Sequence, residues 1–218
     1  MEMEESKNFA SLVESVNNNT NKFNILGIGS SLRNNSSSTI VLEKLLQESK
    51  RYNFVDTNLL DFRIIQLPLF DPNKSKKNLT KEIEQVNKLV LNADAYVLAS
   101  PDYHGSMSGV MKNFLDYYWH EFSGKIFGYI VASHENGLTV IDQMRTAVRQ
   151  CYGWSMPYSI SLNKENDLDH SGYIINKKLQ KRIEMMARDM VTYGKLIRMQ
   201  CLLDINNNEY NTFAAYIK

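Results

Sequence analysis

The run AYVLAS at residues 95–100 is apolar at almost every position and is stopped by Pro101. A strand with one wet face alternates apolar and polar residues, so an unbroken run points to a strand covered on both faces, as in a parallel sheet between two helical layers. The runs FNILGIG (residues 23–29) and KIFGYIVA (residues 125–132) read as further strands. VDTNLLDF, from Val55, alternates less cleanly, and a fifth strand is expected near residues 156–162.

Helical periodicity fills the intervals. Val41, Leu42 and Leu45 share one face over residues 38–48, and Ile83, Val86 and Val90 do so after Thr80, a residue suited to cap a helix. Helices are expected at 110–119 and at 138–151, the latter with Ile141, Met144 and Val148 inward. In the last helix Leu179, Ile183, Met186, Met190, Tyr193 and Ile197 step by four and three. Strand and helix thus alternate five times without a break in composition, which predicts one doubly wound α/β domain over 23–203. Residues 1–22 form an N-terminal extension, read either as a short helix carrying Phe9, Leu12, Val13 and Val16 or as a frayed end, and 204–218 a C-terminal tail.

Composition narrows the function classes. Lys and Arg number 25 against 24 Asp and Glu, a net charge of +1, so no basic nucleic-acid footprint is present. Two cysteines, Cys151 and Cys201, do not make a disulfide scaffold. The first residues lack the pattern of a signal peptide and no apolar run approaches the ~18 residues of a membrane span, so a cytoplasmic protein without membrane insertion is expected. His120, His134 and His170 are not spaced as metal ligands, and no metal is expected.

In a doubly wound sheet, ligands bind beyond the carboxyl ends of the strands where the order reverses, which directs attention to the loops after strands one, three and four. The first, GIGSSLRNNSSST, has Gly27 and Gly29 but Leu32 where a dinucleotide fingerprint needs a third glycine, and no Gly-Lys-Ser/Thr of a phosphate loop follows. What remains is a set of hydroxyls with Arg33 at a helix start. These groups suit either a phosphate monoester or a plain capping cluster on a solvated turn. In the second, PDYHGSMSG, Gly105 and Gly109 permit close backbone approach, Tyr103 and His104 can flank a flat ring, and the amides from Tyr103 to Ser106 can bond its edge. The third, 133–137, reads either as a wall of the same site or as an ordinary polar turn. Lys74, Lys76, Lys77 and Lys81 form a charge run, read chiefly as solvated, and Tyr117, Tyr118 and Trp119 are expected to face a partner or the site.

The stretch PDYHGSMSGVMKNFLD resembles the Pro-Glu-Tyr-Asn-Gly-Ser-X-Pro-Gly-X-X-Lys-Asn-X-X-Asp signature of the NAD(P)H-dependent FMN reductase family, and Ser31, Arg33 and Ser36 match its Gly-Ser-X-Arg-X-X-Ser mark. Ser30 stands where that family has glycine, and Asp102, His104 and Ser108 replace Glu, Asn and Pro. The resemblance implies a flavodoxin-like three-layer sandwich whose five-stranded parallel sheet has the order 2-1-3-4-5. It implies bound FMN, with NADH or NADPH as hydride donor and a flavin, quinone, azo or metal-ion acceptor served in a ping-pong cycle. Carried over, Ser31, Arg33, Ser36 and Ser38 hold the phosphate, and Pro101, Asp102, Tyr103, His104, Gly105 and Ser106 line the ring. Ser133, Glu135 and Gly137 lie at its pyrimidine end, no side chain is assigned a catalytic role, and a homodimer or homotetramer is implied. An FMN-binding electron carrier or redox sensor without nicotinamide turnover is the alternative, disfavoured by the near-zero net charge.

Overall fold

Each apolar run becomes a strand. In the computed structural model, which describes residues 22–73, 80–207 and 211–213, β1 is Phe23–Gly29, β2 Val55–Asp61, β3 Ala95–Pro101 and β4 Ile126–Ala132. They pair in parallel in the order β2-β1-β3-β4, with a fifth position beyond β4, which is the flavodoxin-like order. The fifth position departs from the expected single strand at 156–162. Two short pieces fill it, β5 (Trp154–Ser155) and β6 (Ile160–Leu162), aligning Trp154 with Ile126 and Ile160 with Ile130 of β4. Pro157 lies between them, and a residue without an N–H cannot continue the ladder.

The helices are α1 (Ser37–Ser49), α2 (Lys81–Asn92), α3 (Gly109–Asp116), α4 (Leu138–Gln150), the short α5 (Lys164–Asp167) and α6 (Lys177–Asn206). Side chains alternate faces along a strand, and β3 shows what that does. Ala95, Val97 and Ala99 join the core under α1 and α6, while Tyr96 and Leu98 join the core under α2, α3 and α4. Gly27 lets α1 lie close on the sheet, since a Cβ there would stand 2.8 Å from Leu46 Cδ1 and 2.9 Å from Leu42 Cδ1. The Gly27–Gly29 pair that looks like a fragment of a dinucleotide fingerprint thus serves, at Gly27, helix packing.

Two expectations shift at helix ends. The helix expected over 110–119 stops at Asp116, because Tyr118 turns inward among Phe114 and Phe122 and is 6% exposed. Burying a side chain of this size stabilises by about 1.5–3 kcal/mol, more than continuing one helical turn. Tyr117 packs edge-on against Phe70 and donates its hydroxyl to Pro68 O at 3.0 Å, so of the three aromatics expected to face a partner or the site only Trp119 is largely exposed. Lys112 and Asp116 form the i,i+4 ion pair on α3 at 2.5 Å. The last helix runs to Asn206, past Leu203. The helical spacing within residues 9–16 and the lysines at 74, 76 and 77 lie outside the described residues. No helix among the described residues is long and apolar enough to cross a membrane.

At the carboxyl end of β2, Asp61 is 4% exposed and paired with Arg63. Burial by itself raises its pKa, but hydrogen bonds from the Arg63 side chain and backbone reverse this and hold the carboxyl below its ordinary 3.8. A depressed carboxylate contributes stability that is present above the unfolded value and lost as pH falls through the folded one. Asp61→Asn is therefore expected to lower Tm at neutral pH and to flatten its decline below about pH 4, as followed by thermal melts across pH.

Candidate functional site

β1 has β2 on one side and β3 on the other, so the connections leaving β1 and β3 part in opposite directions and open a crevice at their carboxyl ends. The first loop leaves β1 at Ser30. Ser36 caps α1, its Oγ accepting the Thr39 amide at 3.4 Å and lying 3.1 Å from Ser38 Oγ. Arg33 is exposed and extends over the Tyr103 ring, 5.4 Å from its centroid, joining the first loop to the second. Ser36 is thus a cap, as the plainer reading held, and the capped end also borders a cavity.

The second loop turns sharply. Tyr103 and Ser106 exchange two backbone hydrogen bonds, of 3.0 and 3.1 Å, around His104 at φ 58° and Gly105 at φ 74°. Two successive left-handed residues are what a two-residue turn of this hand requires, and Asn-Gly meets the need best. Histidine is among the few other residues enriched in that region, so the His104 departure keeps the turn. The turn also corrects an expectation. Tyr103 N and Ser106 N are used within it, and Gly105 N donates to Asp102 Oδ1 at 2.8 Å, so of these amides only that of His104 lacks a partner among the described residues.

Side chains bind the loops together. Ser108 caps α3 and donates from Oγ to Ser30 Oγ at 2.9 Å, while Ser30 Oγ donates to Ala99 O at 3.0 Å. Two departures from the family pattern, Ser30 and Ser108, therefore touch one another, and both are buried. Asp102 reaches the third loop by accepting from Ser133 Oγ at 2.8 Å. Gln143 of α4 accepts from Ser106 Oγ at 2.9 Å and from the Met107 amide at 3.2 Å. Gln143 was not found from sequence, where it is one polar residue on a helix with an apolar face.

Two adjoining cavities result. The first, about 310 Å³, is lined by Ser31, Arg33, Ser36 and Ser38 together with Pro101, Asp102 and Tyr103. The second, about 540 Å³, is lined by Asp102, Gly105, Ser133, Glu135 and Gly137. Asp102, Ser133 and His134 border both. His104 and Ser106 line neither, since one sits at the turn's tip and the other is turned toward Gln143. Asn34, Asn35, Ser37, Lys164 and Glu165 also line the first cavity, and Asn136, Leu138 and Thr139 the second. Lys164 and Glu165 open α5, directly after the fifth strand position, a connection the sequence reading did not search. The signal was present in Asn163, whose Oδ1 accepts the Glu165 amide and caps α5.

The donor set fits a flavin mononucleotide. Hydroxyls, a capped helix end and the cations Arg33 and Lys164 suit a phosphate, and Gly105 and Gly137, which have no side chain, are among the residues that line the adjoining cavity. Among the described residues no group of three or more His, Cys, Asp or Glu could hold a metal ion.

Comparison with known proteins agrees. The family model described as NADPH-dependent FMN reductase matches residues 23–167. An NADPH azoreductase of Bacillus sp. strain OY1-2 is 31% identical over 108 residues, covering 48% of this chain and 60% of that protein. An NAD(P)H-dependent FAD/FMN reductase of Geobacillus thermodenitrificans is 23% identical over 77% of this chain and 91% of its own. Among solved structures, the flavoenzyme FerB of Paracoccus denitrificans, titled an NAD(P)H:(acceptor) oxidoreductase, superposes with a TM-score of 0.66 at 18% identity, over 79% of this chain and 97% of that one.

Gly137 tests the third loop. It lies at φ 58°, and a Cβ there would be 2.5 Å from Val131 Cγ1 in the core. Gly137→Ala is expected to cost about 1–3 kcal/mol in urea unfolding, whereas Gly109→Ala, where nothing lies within 4 Å, is expected to change stability by no more than about 0.5 kcal/mol.

Proposed function

The chain belongs to the NADPH-dependent FMN reductase family, and we propose that it binds FMN across these two cavities and reduces a small-molecule acceptor in a ping-pong cycle. It is an oxidoreductase of the NAD(P)H-dependent flavin reductase type, and members of the family use FMN and NAD(P)H. The observation that carries the finer reading is the convergence of the predicted residues. Phosphate-type donors from the first loop and ring-wall residues from the second and third border two adjoining cavities that share Asp102, Ser133 and His134.

Bound there, FMN would supply the redox chemistry, accepting a hydride from NAD(P)H and passing the electron pair to the acceptor. The protein supplies position and field. Arg33, Lys164 and the hydroxyls of Ser31, Ser36 and Ser38 would hold the phosphate. Tyr103 and the 133–137 loop would flank the ring. Asp102 and Gln143 hold the second and third loops in register by the bonds described above. No side chain is needed as nucleophile or metal ligand. Nucleotide and acceptor use the same open cavity in turn, so acceptor choice, whether flavin, quinone, azo compound or metal ion, depends on what closes that cavity. The exposed Leu69 and Trp119, with the resemblance, support a homodimer or homotetramer, and cytoplasmic work on small molecules follows from the same reading.

Arg33→Ala removes a charge-assisted phosphate contact worth about 1.5–3 kcal/mol, so FMN affinity is expected to fall about 10- to 150-fold, with riboflavin affinity unchanged. Flavin fluorescence titration checks this, and an unchanged FMN affinity contradicts the phosphate assignment. Anaerobic stopped-flow mixing of the FMN-loaded protein with NADH or NADPH is expected to bleach the oxidised flavin band near ~450 nm within the enzyme's turnover time. Bound flavin that neither nucleotide reduces would instead support an electron carrier or sensor.

A further inference from the structure

A third cavity, about 480 Å³, lies between α4, β6 and the start of α6. It adjoins the ring cavity at Asn136 and Leu138, which line both. Its far side carries Lys178 and Arg182. Neither has an ion-pair partner among the described residues, although eight pairs are formed elsewhere, including Lys44 with Glu48 and Arg188 with Asp189.

Arg182 is held in place. Its Nε donates to Ser159 O at 3.2 Å and its guanidinium lies 4.6 Å from the Tyr158 ring centroid, while the Tyr158 hydroxyl is fixed on Asp189 at 2.7 Å. With Nε engaged and the ring behind, the two terminal nitrogens remain as a fork, the geometry that grips phosphate oxygens. The carboxylate that shares the groove, Asp167, has both oxygens occupied, by the Asn163 amide at 2.7 Å and Asn176 Nδ2 at 2.6 Å. Helix stability does not account for Lys178. The first turn of α6 holds no acidic residue, and positive charge there opposes the helix dipole.

We propose that Lys178 and Arg182 are specificity-determining residues that take a phosphate group of the nicotinamide dinucleotide. The inference rests on the reductase reading. If the nicotinamide is to lie on the ring, the phosphates must occupy a continuation of the ring cavity, and the continuation toward Arg33 is already assigned to the FMN phosphate. The shared chemistry is a phosphate anion, and it comes from one of two places on the nucleotide: the pyrophosphate, present in NADH and NADPH alike, or the 2′-phosphate, present only in NADPH.

The test uses the FMN-loaded protein, the double variant Lys178→Gln/Arg182→Gln, and Lys178→Glu, which alters an exposed side chain and leaves the Arg182–Ser159 tie intact. Binding of NADP⁺ and NAD⁺ is measured by calorimetry, and the half-saturating concentration for anaerobic flavin reduction is measured with NADPH and NADH. The expected result is a loss of about tenfold or more in nucleotide affinity in both variants, with the limiting reduction rate and FMN affinity retained. Loss confined to NADP⁺ and NADPH assigns the 2′-phosphate to the groove, and equal loss for both nucleotides assigns the pyrophosphate. Unchanged affinity in the variants, with a wild type that binds and is reduced normally, overturns the inference alone. A wild type that neither nucleotide binds or reduces overturns the reductase reading and the inference with it.

Discussion

A parallel strand can reach its neighbour only by carrying the chain back over a face of the sheet, and this constraint arranges the rest of the molecule. All strand carboxyl ends point one way, so the loops after β1, β3, β4 and β6 gather at one edge. Because β1 has neighbours on both sides, the chain leaving it and the chain leaving β3 diverge, and a space opens that no core side chain fills. The apolar runs that force both faces to be covered are thus the indirect cause of an open crevice at the sheet's carboxyl edge.

Polar side chains then hold that edge in shape, because loops cannot use the regular ladders of the sheet. Ser30 and Ser108 close the crevice floor through buried hydroxyls, Asp102 bridges the second and third loops, and Gln143 anchors the second loop to α4. Each bond is modest, about 0.5–1.5 kcal/mol net, but an unpaired buried hydroxyl would cost comparable energy, which favours the one arrangement satisfying all of them.

The strands and the helix faces were readable from sequence because burial imposes period two on half-covered strands, unbroken apolar runs on fully covered ones and about three and a half on helices, whereas the sheet order came from the family resemblance. Pro157 marks where the fifth strand breaks, and the inward turn of Tyr118 explains why α3 ends at Asp116. Within the site, Ser31, Arg33, Ser36, Ser38, Pro101, Asp102, Tyr103, Gly105, Ser133, Glu135 and Gly137 border the two cavities, whereas His104 and Ser106 line neither. What stayed hidden depends on long-range packing. Gln143 contacts a loop 37 residues earlier, and Lys164 comes near Arg33 only because β6 returns the chain to the same edge. No local pattern carries such information, and the amides used inside the tight turn could be counted only once its geometry was known.

The central claim is that the loops at the carboxyl edge of the sheet form one FMN site. Its most direct test is a crystal structure of the protein with FMN bound. The account predicts the phosphate among Ser31, Arg33, Ser36 and Ser38 and the ring between Tyr103 and the 133–137 loop. Flavin found elsewhere on the molecule, or a phosphate held away from the first loop, would contradict it.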